Sequence, residues 1–425
     1  MLSTPEPIEN ATRASGTWLQ KSFDRLASLI TGKRATIQAT WLAILLWSAY
    51  AVDLATPGLL DRVGHVKGAD FLHFYISASL LRAGRALDLY APSAHASLQK
   101  VLLPESVGTY FVPMYGPQFY LLFEPVAALS YSWAALIWAL LNTALYFACC
   151  YALLRKCAQL RSEWRLITLL AVAYPAFFSL IAFGQSSAPA LALFVLAFLS
   201  LQNRRTFVAG LAIGSLVYKP QLALSAVLIL LGAGEWKVIS GAITAAAAQL
   251  GFAWVYFGAK VMRRYLGSFA QLRSAEPFLE PKLYQMHSLR SFWTLLLPLR
   301  SAALAAYIIS SFALVALGVM FWKRGKDLRL RYAALLLGTV LIAPHLWIYD
   351  LVILVPAFLL VAEWVREHAD AQSQARLWIL LYACYVLPLL GPVAQFTHIQ
   401  LSVIAFTLTM VELGRRNRTA LIGEA

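Results

Sequence analysis

Residues 132–154 read SWAALIWALLNTALYFACCYALL, a run in which no side chain is charged. A helix needs roughly 20 mostly apolar residues to cross the hydrocarbon core of a bilayer, so this stretch is expected to span a membrane. The cations Arg155, Lys156, Arg161 and Arg165 follow it at once. Short loops rich in Lys and Arg face the cytoplasm, which fixes the direction of the span. The same alternation continues in both directions. Comparable apolar segments cover 36–56, 166–183, 184–202, 239–257, 301–322, 332–346, 348–365, 376–391 and 397–413, and cation-rich loops fall at Asn203–Arg205, Lys323–Arg331 and Arg415–Arg418. The expectation is an all-α, polytopic membrane protein of 11–13 spans, a single membrane-embedded domain over 1–425.

Composition agrees. The chain is 60% hydrophobic and 13% charged, with mean hydropathy +0.67, whereas soluble domains are about a quarter charged. Its net charge of +15 would suit nucleic-acid binding if the cations shared one soluble face. They sit instead in loops between apolar runs, which excludes that class. Cys149, Cys150, Cys157 and Cys384 lack zinc-ligand spacing and read as small buried thiols. No cleavable signal pattern precedes the first apolar run. Within 1–34, Trp18, Leu19, Phe23, Leu26, Leu29 and Ile30 recur at helical spacing among cations, as in an interfacial helix on the cytoplasmic leaflet.

Two segments resist simple counting. Residues 112–130 are interrupted by Pro113, Pro117 and Pro125; a full crossing there would put Arg155–Arg165 outside, so the segment is expected to be short or partly re-entrant. Residues 207–234 contain Tyr218-Lys219-Pro220, and the proline favours two short helices meeting at Lys219. The remaining loops, 57–111 and 258–298, fall outside, the first with two amphipathic helices near 70–83 and 92–102 lying along the membrane surface. No internal repeat is visible.

Chemistry-bearing residues collect on that outer face. Asp70, in KGADFLHFYISASLLRAG (67–84), is a natural helix N-cap; a carboxylate there is also suited to take a proton from an attacking alcohol. Lys219 lies in apolar surroundings, where a cation either snorkels to the interface or serves a site. Ala343–Asp350 (APHLWIYD) holds His345, Tyr349 and Asp350, the first two sharing a face if the turn is helical. Gln185 in FGQSS is a weaker polar candidate, and MHSLRSF supplies His287 and Arg290, an arginine suited to phosphate. Nucleophile-elbow, P-loop, dinucleotide and zinc motifs are absent. No Asp-x-Asp pair flanks Asp70, which disfavours a metal-bridged nucleotide-sugar donor and favours one whose leaving group is already in the membrane.

The runs ADFLHFYISASLLRAGRALDLY, FVPMYGPQFYLLFEPVAAL, FGQSSAPALALFVLAF, AGLAIGSLVYKPQLAL, MHSLRSFW and APHLWIYDLVIL, taken in order, resemble the polyprenol-phosphate-dependent glycosyltransferases of the integral-membrane GT-C class, specifically glycosyltransferase family 87. Tyr115-Gly116-Pro117 departs from the consecutive prolines more usual there, a change expected to affect a helix start more than the chemistry. The resemblance implies a GT-C fold and an inverting, metal- and cofactor-independent transfer of mannose or a related sugar. The donor would be a polyprenyl-phosphate sugar, and the acceptor a lipid or glycan hydroxyl on the periplasmic side of the plasma membrane. It implies Asp70 as general base. The donor phosphate would fall to Lys219, Arg290, His287 or His345, and substrate contacts to Tyr75, Gln185, Tyr349 and Asp350. The competing reading is a lipid-linked sugar or small-molecule transporter or flippase, which calls for inverted repeats and charges deep in mid-span.

Overall fold

A computed structural model describes residues 32–106, 111–270, 282–368 and 371–419. Most of the expected N-terminal interfacial helix, and residues 107–110 and 271–281 of the two outer loops, lie outside the described residues. The fold is helical throughout: α1 Gly32–Ala55, α2 Ala69–Arg82, α3 Pro92–Leu102, α4 Tyr131–Leu154, α5 Trp164–Ala173, α6 Pro175–Phe183, α7 Ser187–Gln202, α8 Thr206–Gly214 and α9 Pro220–Ala233. The second half adds α10 Trp236–Ala270, α11 Leu289–Leu296, α12 Arg300–Arg324, α13 Leu328–Ile342, α14 Val355–His368, α15 Ala371–Val386, α16 Gly391–Thr397 and α17 Leu401–Thr419. Two isolated bridges, Leu60 with Val66 and Met286 with Trp347, are the strand-like pairings among the described residues.

The chain is a multi-pass membrane protein. Six described helices are long and apolar enough to cross a bilayer, seven if α5 and α6, bent by 47°, form one broken span. That is fewer than the 11–13 expected; three shorter apolar helices, Ser187–Gln202, Thr206–Tyr218 and Pro220–Ala233, account for part of the shortfall among the described residues. Breaks in the hydrophobic runs explain the difference. At Lys219 the backbone leaves the helix (φ −121°, ψ 69°) and Pro220 starts the next one, because proline cannot donate to the preceding turn. The two-helix reading of 207–234 therefore holds.

Residues 112–130 do not form a span-length helix. They run extended to Gly116 and then fold into the short turns Pro117–Tyr120, Leu121–Phe123 and Val126–Ala128. With no crossing between α1 and α4, Arg155–Arg165 returns to the end where α1 starts, which removes the charge conflict. This segment also corrects the reading of the first outer loop. Helix α2 does not lie on a surface: nine of its 14 residues are buried. Phe74 stacks on Phe123 at 4.6 Å, Phe71 packs on Trp138 of α4, and Tyr75 donates to the Leu129 carbonyl at 2.8 Å. Aromatic residues of 111–130 thus cover the side of α2 that an interfacial helix would leave to lipid.

The second outer loop is organised by Gly258, whose φ of 79° bends α10 into a conformation open to glycine and strained for other residues. Beyond the bend, Tyr265 packs against Tyr90 at 5.6 Å and Arg264 donates to the Leu87 carbonyl, so the two outer loops form one cap. All four cysteines are buried and free.

Candidate functional site

The side chains that meet under this cap come from breaks between helices. Each break exposes backbone or ends a helix, and within a membrane such irregular backbone is tolerated where protein surrounds it. Gly184 ends α6 in the left-handed region (φ 69°, ψ 35°), and a Cβ there would lie 2.7 Å from that of Phe71. That close approach of α6 to α2 delivers Gln185 to Asp70. The indole of Trp138 fixes the turn by donating to the Gly184 and Gln185 carbonyls at 3.0 and 3.2 Å.

Asp70 sits in the first turn of α2, whose N-cap position is held by Gly68 without a side-chain cap bond. Its carboxylate faces the cluster instead. The Gln185 amide donates to Asp70 Oδ2 at 2.9 Å and to the Tyr349 hydroxyl at 3.3 Å, and Tyr349 in turn bonds to Asp70. The other end of Gln185 is also held: its Oε1 accepts from the Ser186 amide at 2.9 Å and the Tyr115 hydroxyl at 3.4 Å. Asp70 remains partly exposed, and no described cation lies within ion-pair distance of it. Burial raises its pKa to about 6, against the opposing pull of the Gln185 and Tyr349 hydrogen bonds and of Lys219.

A second group lies behind the first. Lys219 and Asp350, both 2% exposed, pair at 2.6 Å. Ser187, at the start of α7, donates to Asp350 Oδ1 at 2.7 Å and accepts from Lys219 Nζ at 2.8 Å. The Trp347 amide reaches Asp350 Oδ2 at 3.3 Å, and the Lys219 ammonium lies 5.5 Å from the Tyr349 ring centre. Lys219 does not snorkel; it is one half of a buried ion pair.

The other expected site residues are spread unevenly. Tyr75 is buried with its hydroxyl committed to Leu129, away from Gln185. His287 is fully buried, bonded through Nδ1 to Ser402 at 2.8 Å, and burial lowers its pKa to about 3. His345 and Tyr349 do not share a helical face, because Pro344 and its neighbours run irregularly and a 3₁₀ helix begins only at Ile348. His345 lies against Trp347, which stacks on Tyr349 at 6.2 Å. Arg290 donates to the Pro344 carbonyl at 3.2 Å, so Arg290 and His345 stand together at a partly exposed rim.

Two participants had little sequence signal. Ser187 was one hydroxyl in a Gln-Ser-Ser break, and only the fold brings Lys219 and Asp350 to it. Tyr115 stood out as a departure at a helix start; its hydroxyl instead approaches Gln185, and its ring packs 6.4 Å from Tyr218.

The family model for glycosyltransferase family 87 matches residues 113–344, the segment that contributes Tyr115, Gln185, Ser187, Lys219 and Arg290. The chain belongs to glycosyltransferase family 87. No curated protein and no solved structure matches it. Asp70, Tyr349 and Asp350 lie outside the matched residues, so their place in this glycosyltransferase rests on the geometry above. Among the described residues, no three His, Cys, Asp or Glu side chains cluster as a metal-ligand set.

Proposed function

We propose that this glycosyltransferase moves a sugar, with inversion, from a polyprenyl-phosphate donor to a lipid or glycan hydroxyl on the periplasmic side of the plasma membrane. Asp70 is the general base. The observation that carries the reading is the setting of Asp70: a partly exposed carboxylate, without a cationic partner among the described residues, oriented by Gln185 and Tyr349. A carboxyl group with a pKa near 6 is mostly ionised at neutral pH yet basic enough to accept a proton as it is transferred.

In the step proposed, the acceptor hydroxyl gives its proton to Asp70 while its oxygen bonds to the anomeric carbon. The bond from that carbon to the phosphate oxygen breaks, and its electron pair leaves with the phosphate. A single displacement inverts the anomeric centre. The charge that grows on the phosphate calls for fixed donors, a role suited to Arg290 and His345 at the open rim. Lys219 acts from behind, compensating Asp350. The sugar, mannose or a related hexose or pentose, follows from the family resemblance.

The test is incubation of purified protein with defined polyprenyl-phosphate sugars and a membrane lipid extract, with products identified by mass spectrometry. A new glycosylated product of inverted anomeric configuration, lost in Asp70→Asn, supports the proposal. A retained configuration, a nucleotide-sugar requirement or full activity in Asp70→Asn overturns it.

A further inference from the structure

A second site stands at the other end of the bundle. Helices α1, α5, α14 and α15 enclose a cavity of about 400 Å³, walled by Leu166, Leu170, Phe358, Leu359, Leu381 and Tyr385. A helix rising 1.5–2.0 Å per residue separates Arg366 at its mouth from Asp350 at the catalytic end by roughly 25 Å, so the cavity is not part of the site already described.

The interior is apolar for a specific reason. Pro175 breaks the α5–α6 span and frees the carbonyls of the preceding turn. The Ala171 carbonyl accepts from Tyr146 at 3.1 Å, that of Leu170 from Tyr385 at 2.8 Å and that of Val172 from Trp47 at 3.0 Å. Tyr174 donates to the Leu351 carbonyl. These bonds engage the hydroxyls of Tyr146, Tyr174 and Tyr385 along the inner wall and leave it mostly apolar. The volume lies within the range of ligand pockets. The mouth has the opposite character: Glu163, Arg165, Arg366 and Thr36 line it, and Arg366 pairs with Glu163 at 2.5 Å. Two arginines against one glutamate leave the rim one positive charge in excess.

We propose that this cavity binds an anionic phospholipid, with an acyl chain among Leu166, Phe358 and Leu381 and the phosphate at Arg165 and Arg366. Arginine suits the phosphate because its planar fork donates two parallel hydrogen bonds. The lipid is bound structurally, at the membrane leaflet opposite the catalytic cap.

The test uses the full chain, purified in mild detergent and exchanged exhaustively, then analysed by native mass spectrometry and lipid extraction. About one anionic phospholipid per chain is expected to remain. Ala362→Phe, which directs a ring into the cavity, should lower the retained lipid at least tenfold, with thermal unfolding reporting whether the variant is folded. In nanodiscs containing phosphatidylglycerol and phosphatidylcholine, Arg165→Gln should abolish the preference for the anionic lipid; the exposed position of Arg165 keeps this arm valid if Ala362→Phe fails to fold. Loss of all phospholipid on exchange, equal retention of the zwitterionic lipid, an unchanged preference in Arg165→Gln, or recovery of a polyprenyl phosphate in place of the phospholipid overturns the proposal.

Discussion

Asp70 and Asp350 belong to one polar cluster, yet their surroundings suit them to opposite tasks. Asp350 is 2% exposed and takes its hydrogen bonds from the ammonium of Lys219, the hydroxyl of Ser187 and the Trp347 amide. A carboxylate so enclosed and paired serves as the counter-ion of Lys219. Asp70 takes its hydrogen bonds from the neutral groups of Gln185 and Tyr349, keeps part of its surface open, and binds its proton more tightly than an ordinary carboxylate. The contrast lies in the partner: a cation makes Asp350 a counter-ion, whereas the donors on Asp70 are neutral, and the role of base proposed for Asp70 rests on that difference.

Removing each carboxylate separates the two tasks most widely. Asp70→Asn should cut turnover by about 10²–10⁴-fold, the range of positioned general-base catalysis, with little change in thermal stability, since the amide oxygen still accepts from Tyr349. Asp350→Asn should do the reverse and leave Lys219 buried without a counter-charge, a defect worth about 3–5 kcal/mol. Thermal or denaturant unfolding in detergent measures it. The double replacement Lys219→Met with Asp350→Leu should recover most of that loss, because apolar side chains of similar size often replace a buried pair without cost. If Asp350→Asn kills turnover at full stability while Asp70→Asn unfolds the protein, the two assignments are exchanged.

A finer separation comes from pH. With its folded pKa raised to about 6, Asp70 is protonated and inactive below that value, so kcat/KM should rise through pH 6 and level off above it. Tyr349→Phe removes a hydrogen bond that favours the ionised form, so the rise should move to higher pH. Ser187→Ala, which touches Asp350 rather than Asp70, should leave the limb in place. A limb that ignores Tyr349→Phe would mean that another group titrates.

The cluster was only partly legible in the sequence, for reasons visible in individual residues. Spans, cation-rich loops and the break at Lys219-Pro220 could be read because hydrophobic period and proline act locally. Asp70 drew notice as an acid in a chain of few acids. The partnership of Lys219 with Asp350 could not be read, since 131 positions separate them and either residue alone looks like a ligand for substrate. The burial of α2 was hidden for a related reason. Its apolar face was plain, but nothing local says that Phe119 and Phe123 fold over the other side. Tyr115 shows a further limit, because an aromatic residue at a helix start carries no sign that its hydroxyl reaches Gln185.

The smallest expected effect tests the rim, where charge is exposed to solvent and correspondingly weak. Arg290 holds the Pro344 carbonyl beside His345, and His287 lies three residues earlier but fully buried against Ser402. Arg290→Lys keeps the charge and loses the fork that suits phosphate. It should raise the KM for a polyprenyl-phosphate sugar about tenfold, equivalent to roughly 1.4 kcal/mol, with kcat less affected, and His345→Ala should act in the same direction. His287→Ala should instead lower the unfolding temperature and leave donor KM unchanged, because that ring contributes packing and a hydrogen bond rather than charge. Steady-state kinetics with one donor at varied concentration decide the matter. A KM effect confined to His287 would mean that the buried ring opens to the donor, and would move the phosphate from the rim into the protein.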